Sequence, residues 1–155
     1  MTELTCDQFI EYVARWIEVD EANISRVWPT KGGWEGWAQV EICSRIVATD
    51  SRYQIEREQH PYGASRKASD FFLNVNCPVS QQVIIELKCQ SFQNYANFGA
   101  GLQADVEKLT NEVDPQYRGA TLLAMGIYFL DCPIPDGFQR WVSPTNEVAL
   151  VWASL

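Results

Sequence analysis

Two residues of opposite charge, Glu86 and Lys88, lie in the otherwise apolar segment VIIELKC. Side chains alternate along a β-strand, so these two residues share one face and Val83, Ile85 and Leu87 share the other. A charged group in a low-dielectric environment is costly unless it is paired or binds a metal ion. The segment therefore predicts either an ion pair at a strand end or a site for a charged ligand.

Asp70 lies sixteen positions before Glu86, on the preceding strand of a predicted hairpin. An aspartate and a glutamate on neighbouring strands can bind one divalent cation, and Mg²⁺ prefers such oxygen ligands and usually retains several waters. A lysine beside the cation can orient the attacking water and stabilise developing negative charge. Asp70, Glu86 and Lys88 are therefore candidates for hydrolytic chemistry with Mg²⁺ or Mn²⁺.

Apolar residues at helical spacing predict two helices before these strands. The first covers residues 5–19, with Thr5 or Asp7 as its cap, and the second covers residues 35–49. Between them, residues 23–36 contain a Pro and a Gly pair and predict a loop. Tryptophans in or beside this loop, Trp28 and Trp34, are expected to be partly exposed, and an exposed aromatic pair would indicate a stacking or partner-binding surface.

Three strands are predicted next, over residues 52–58, 66–75 and 81–90. The connections between them are short, which favours an antiparallel meander.

The remainder of the chain predicts a helix and two further strands. A helix over residues 97–113 precedes an apolar run at 119–130, which is expected to join the same sheet through a crossover. Residues 131–141 are expected to form a loop, and 146–155 a last strand. The whole chain, 1–155, is thus expected to form one α/β domain, with helices packed on one mixed sheet.

The combination of Asp70, then Glu86-Leu87-Lys88 on an apolar strand, then the helix LQADVEKL resembles the PD-(D/E)XK nuclease superfamily. The resemblance covers about residues 34–130 and implies a restriction-endonuclease-like core: a helix, a three-strand antiparallel meander, a helix and a further strand. The first helix and the last strand would be additions to that core. Ser69 stands where the motif has a Pro, which lowers the specificity of the match.

The resemblance also implies roles for individual residues. Asp70 and Glu86 would be metal ligands and Lys88 the motif lysine. An acidic residue from the helix before the meander would be a further ligand, with Glu41 the best match and Glu35 the second choice. Gln103, on the helix after the motif strand, would assist.

Three cations are candidates for contacts with substrate phosphate. Arg66 and Lys67 precede Asp70 and could contact a phosphate backbone at the entrance of the cleft, or be ordinary strand-end charges. Lys108, in the helix segment DVEKL, could also reach a phosphate.

The chain has 12 Lys and Arg, 20 Asp and Glu, and a net charge of −8, which disfavours a plain nucleic-acid-binding module. Five cysteines without CxxC spacing and a single His make a zinc site hard to assemble, and we expect buried, reduced thiols. The charged N-terminal segment and the lack of a long apolar run predict a cytoplasmic protein without a membrane span.

Two functions from different classes remain open. One is a Mg²⁺-dependent endonuclease acting on DNA, as a toxin, effector or defence component, with a protein inhibitor or a homodimer among its expected assemblies. The other is a catalytically inactive protein of the same fold that binds a basic protein partner in an immunity or regulatory role, which the acidic charge favours.

Overall fold

A computed structural model of the chain describes residues 2–63, 65–129 and 131–155. Within these residues the chain forms three α-helices and one six-stranded mixed sheet. The helices are α1 (Cys6–Val27), α2 (Glu35–Thr49) and α3 (Phe98–Glu112). The strands are β1 (Ile55–Glu56), β2 (Phe71–Leu73), β3 (Val83–Cys89), β4 (Thr121–Tyr128), β5 (Gln139–Val142) and β6 (Ala149–Ser154).

The sheet has the strand order β1-β2-β3-β4-β6-β5. The first three strands form an antiparallel meander, and β4 then pairs with β3 in parallel after the chain passes through α3. Strand β6 pairs antiparallel with both β4 and β5. The predicted mixed α/β architecture is confirmed, including the meander and the crossover.

Helices α1 and α2 cover one face of the sheet. A capping box begins α1, because Thr5 Oγ1 accepts a hydrogen bond from the Gln8 amide and the Gln8 side chain accepts one from Thr5 N. Phe9 packs edge-on against Phe71, with ring centroids 5.2 Å apart. The apolar face of β3, from Val83 to Cys89 at alternate positions, belongs to this core.

Helix α3 lies on the opposite face of the sheet. Leu109 packs with Ile84 and Ala124 at one end of the helix, and Phe98 and Leu102 pack with Val151 at the other. Gly126 permits the close approach, because a Cβ at this position would lie 2.7 Å from the Phe98 ring and 2.8 Å from Leu102. The polar residues of α3 are thereby brought within reach of Glu86 and Lys88.

Four local predictions were wrong. Helix α1 continues to Val27, into the predicted loop, and both β1 and β2 are shorter than predicted. Strand β2 ends at Leu73, directly before Asn74, whose φ is +57° and whose side chain bonds the backbone of Leu4. Strand β5 begins in the predicted loop and ends one residue beyond it; its sequence QRWV places two exposed polar residues before two half-buried apolar ones at the sheet edge, so it lacks an alternating pattern. Ala64 and Leu130, in a predicted turn and at the end of a predicted strand, lie outside the described residues.

Burial differs from expectation at two kinds of side chain. Trp34 is 2% exposed and donates a hydrogen bond from its indole to the Gln90 carbonyl, so it is part of the core rather than the surface. All five cysteines are free thiols as expected, but only Cys89 is fully buried. Across the described ranges, no helix has both the length and the apolar character needed to cross a bilayer.

Candidate functional site

The candidate site is formed where β2 and β3 separate. Phe71 pairs with Ile85, and beyond this pair the β2 side of β3 has no partner strand in the described chain. There the Asp70 carboxylate supplies the acceptor that a partner strand would supply, because its Oδ2 accepts a hydrogen bond of 2.7 Å from Leu87 N. Glu35, the first residue of α2, accepts a bond of 2.9 Å from Cys89 N. Two carboxylates thus satisfy backbone donors that would otherwise be unpaired.

Glu86 points towards α3 and is almost completely buried, at 4% exposure. Its Oε1 accepts a hydrogen bond of 2.8 Å from Lys108 Nζ and another from the Tyr62 hydroxyl. The Lys108 ammonium also donates to the Ala68 carbonyl at 2.9 Å and lies 4.4 Å from the centre of the Tyr62 ring. Glu86 is therefore held on its inner side by two donors from different parts of the chain.

Lys88 extends between α2 and α3. Its Nζ lies 3.6 Å from Asp105 Oδ2 and 4.0 Å from Glu35 Oε2. Its aliphatic stem runs beneath Gly101, where an added Cβ would be 3.5 Å away. Asp105 Oδ2 is buried and has no hydrogen-bond partner, so the ion pair with Lys88 is its compensating contact.

These contacts join four carboxylates and two ammonium groups, which we call the β3 charge cluster. Its members are Glu35, Asp70, Glu86, Lys88, Asp105 and Lys108. The carboxylates outnumber the ammonium groups by two when all are ionised. An added cation would therefore be favoured electrostatically, and at low pH protons would bind instead.

The pKa values reflect this excess of buried negative charge. Burial raises the pKa of all four carboxylates above the ordinary value, and mutual repulsion with Asp70 adds to the effect at the other three. The pKa of Glu86 is raised to about 7 by burial, although hydrogen bonds from Lys108 and Tyr62 act in the opposite direction. Glu86 is thus partly protonated near neutral pH.

Lys88 remains charged. Burial alone would lower the pKa of its ammonium, but the surrounding carboxylates, Glu35 and Asp105 foremost, raise it above the usual lysine value. Lys88 and Glu35 line an open cleft of about 550 Å³ together with Gly32 and Gly33, and the Lys88 side chain is 28% exposed. The cluster therefore has a closed inner end at Glu86 and an open end at Lys88.

Glu41 was predicted to lie in the site, but the α2 residues that reach Asp70 and β3 are Gln39 and Glu35. Gln39 donates to Asp70 Oδ1 at 2.7 Å and accepts from Arg57 at 2.7 Å. Residues two apart on a helix lie on nearly opposite sides, so Glu41 is turned away from Asp70 and pairs with Arg45 at 3.7 Å. The second choice, Glu35, is the glutamate that reaches the cluster.

Gln103 also lies away from the cluster. It is exposed and bonds Glu107 at 3.3 Å, because the inward face of α3 carries Gly101 and Asp105 instead. Asp105 was missed by the sequence analysis, although its sequence signal is present: Phe98, Leu102 and Leu109 form the buried stripe of α3, and Asp105 occupies the position between them.

Of the predicted phosphate contacts, only Lys108 lies in the cluster, and its ammonium faces Glu86. Lys67 is exposed and bonds the Glu112 carboxylate at 2.6 Å, and Arg66 is exposed beside it. Tyr62 was also missed: it lies in the turn-rich segment HPYGAS, where no periodic pattern distinguishes a buried tyrosine from a loop residue.

The donor chemistry of the cluster fits Mg²⁺. Among residues 2–63, 65–129 and 131–155, no group of three or more His, Cys, Asp or Glu residues is placed to hold a metal ion. One or two carboxylates suffice for Mg²⁺, however, when waters and a substrate phosphate complete its coordination. Asp70 and Glu86 supply such hard oxygen donors, and Asp105 Oδ2, which has an ion pair with Lys88 but no hydrogen bond, is another.

In comparisons with known proteins, no family model, no curated protein and no solved structure matches this chain. The resemblance to PD-(D/E)XK nucleases therefore rests on the motif residues and the order of the elements.

Proposed function

We propose that the chain is a Mg²⁺- or Mn²⁺-dependent nuclease that hydrolyses phosphodiester bonds, with DNA as its substrate, on a restriction-endonuclease-like core of about residues 34–130. One observation carries the proposal: Asp70, Glu86 and Lys88 belong to a cluster with excess negative charge that opens into a cleft at Lys88. Such a site favours a divalent cation at its carboxylates and a phosphate at its mouth.

Each residue of the cluster has a defined task in this proposal. Asp70 and Glu86 would hold the cation, which when bound polarises the phosphate as a Lewis acid. Lys88, charged and at the cleft, orients the attacking water and stabilises the negative charge that develops on the phosphate. Lys108 and Tyr62 are positioning residues, because they fix the Glu86 carboxylate from its inner side.

The alternative is a protein of the same fold that binds a basic partner without catalysis. The observation in its favour is that Glu86, Lys88 and Lys108 are all engaged in internal ion pairs. A structural charge network on an acidic chain would serve such a protein equally well. The open cleft at Lys88 leads us to prefer the nuclease.

Cleavage of supercoiled plasmid and of single-stranded DNA, with Mg²⁺, Mn²⁺ or chelator, tests the proposal. Wild type is expected to cut only with a divalent cation. Lys88→Ala is expected to lose about 10²- to 10³-fold in rate, the usual effect of removing one group that stabilises transition-state charge. Arg15→Ala, which removes an exposed cation on α1 that pairs with Glu11, is the control and is expected to cut like wild type.

Two results would contradict the proposal. If Lys88→Ala cuts as well as wild type, the mechanism is wrong. If folded wild type cuts neither substrate with either cation, the partner-binding alternative takes its place, and a pull-down with the purified chain becomes the next experiment.

A further inference from the structure

Two exposed aromatic side chains lie beside the cleft. Of the exposed large apolar side chains in the described part of the chain, only Phe92 and Tyr95 are aromatic, at 59% and 46% exposure. Their ring centroids are 6.5 Å apart, so they form a single surface, which we call the aromatic shelf. Ser91, Gln93 and Asn94 of the same segment line the cleft together with Lys88. The shelf therefore belongs to the segment that forms one wall of the cleft.

The shelf is held in place by contacts within the protein. Asn94 accepts a hydrogen bond of 2.7 Å from Ser91 N and donates one of 3.0 Å to the Cys89 carbonyl, which fixes the segment directly after β3. Behind it, the Trp28 ring packs edge-on against Phe92, with centroids 6.0 Å apart. A surface that is already ordered loses little conformational freedom when a ligand binds.

We propose that the aromatic shelf stacks against unpaired bases and that the substrate is accordingly single-stranded nucleic acid. This inference rests on the proposed nuclease function and assigns its substrate class. Aromatic side chains bind single strands by stacking on base faces, which a duplex keeps covered. A strand stacked on Phe92 and Tyr95 would pass its phosphates along the cleft to Lys88.

The charge of the molecule favours the same substrate. Duplex binding depends mainly on Lys and Arg neutralising phosphates, and here 20 acidic residues oppose 12 basic ones. Lys31 is the one basic residue besides Lys88 among those that line the cleft. Stacking adds affinity that does not require phosphate neutralisation, and a single strand carries a lower density of phosphate charge than a duplex.

Fluorescence anisotropy tests the inference, with a labelled oligothymidylate and a labelled duplex of the same length as the two probes. The full chain is used, and Ca²⁺ replaces Mg²⁺ so that the probes are not cleaved. Wild type is expected to bind the single strand at least tenfold more tightly. Phe92→Ala and Tyr95→Ala should each weaken that binding by roughly tenfold. Phe92→Trp keeps an aromatic face and should bind like wild type. Val19→Ala shortens a different exposed apolar side chain, 72% exposed on α1, and should also bind like wild type. Circular dichroism checks that each variant is folded.

Single-strand binding that neither alanine variant weakens would overturn the inference, and so would equal affinity for the duplex. A dimer in size-exclusion chromatography that Phe92→Ala converts to monomer would assign the shelf to a second copy of the chain and also overturn it. If the protein cuts plasmid but its single-strand binding does not depend on Phe92 or Tyr95, this inference is overturned and the proposed nuclease function is not. If single-strand binding depends on Phe92 and Tyr95 but no DNA is cut, base stacking is supported and the proposed nuclease function is contradicted.

Discussion

At the scale of single residues, Glu86 connects the stability of the protein to pH. Its pKa is about 7 in the folded chain, against the ordinary value of 4.5. The folded state therefore binds more protons than the unfolded state between these two values, and the stability that Glu86 contributes is lost as pH rises through about 7.

We expect Glu86→Gln to remove this pH dependence. The free energy of unfolding of wild type, relative to the variant, should fall between pH 5 and pH 8, by at most about 3 kcal/mol for a shift of this size. Urea unfolding at several pH values measures the difference. Glu41→Gln, which makes the same change outside the cluster, is the control. Parallel curves for wild type and Glu86→Gln would show that Glu86 is not the titrating group.

At the scale of elements, the free edge of β3 is completed by side chains instead of a strand. Asp70 accepts from Leu87 N, and Glu35 accepts from Cys89 N. The carboxylates therefore have a structural task apart from any chemistry. A substitution that removes the charge and keeps the acceptor can separate the two tasks.

Glu35 offers that separation. Glu35→Gln keeps an oxygen for Cys89 N, so its unfolding free energy should stay close to that of wild type. Glu35→Ala leaves the amide to water at this partly exposed position and should cost about 1 kcal/mol. Urea unfolding at pH 7 distinguishes them, and equal destabilisation by both changes would argue that the charge, not the hydrogen bond, is what matters.

The approach of α3 to the sheet is the second feature at this scale. Gly126 pairs in register with Lys88, and a Cβ at Gly126 would meet Phe98 and Leu102 at less than 3 Å. Moving α3 outward would also move Asp105 away from Lys88. The packing of two apolar residues and the geometry of the charge cluster therefore depend on the same glycine.

Gly126→Ala should consequently lower the unfolding free energy by about 1–3 kcal/mol through overpacking. It should also reduce cleavage by the folded protein. Gly36→Ala is the control, since nothing lies within 4 Å of a Cβ there and alanine favours the α2 helix. Thermal melting and cleavage of single-stranded DNA measure the two effects, and a wild-type melting temperature for Gly126→Ala would contradict the close packing.

The elements also explain which parts of the site could be predicted. Glu86 and Lys88 stood out because a strand has a strict alternation and they broke an apolar run. Glu41 was chosen over Glu35 because a helix face cannot be assigned until its tertiary contacts are known. Tyr62 lies in a turn, where side-chain direction has no period. Strand β5 was missed for a related reason: as a short edge strand without alternating polarity, it gets its structure from pairing with β6.

At the scale of the whole molecule, the net charge of −8 opposes the approach of a phosphate polymer. The β3 charge cluster concentrates part of that charge in one place, with two more carboxylates than ammonium groups. A divalent cation bound there would offset this local excess. The proposed nuclease should therefore depend on its cation for stability as well as for chemistry.

A thermal shift with Mg²⁺ or Mn²⁺ tests that dependence without any substrate. A ligand that binds only the folded state at ten times its Kd adds about 1.4 kcal/mol, which for a domain of this size raises Tm by roughly 3–6 °C. The shift should be larger at pH 8 than at pH 6, because protons on Glu86 compete with the cation. Asp70→Asn and Glu86→Gln should lose the cation-induced rise in Tm, whereas Glu41→Gln should keep it. NaCl at matched ionic strength is the blank. If both cluster variants are stabilised as much as wild type, the cation binds elsewhere on the acidic surface, and the carboxylates of the cluster are structural.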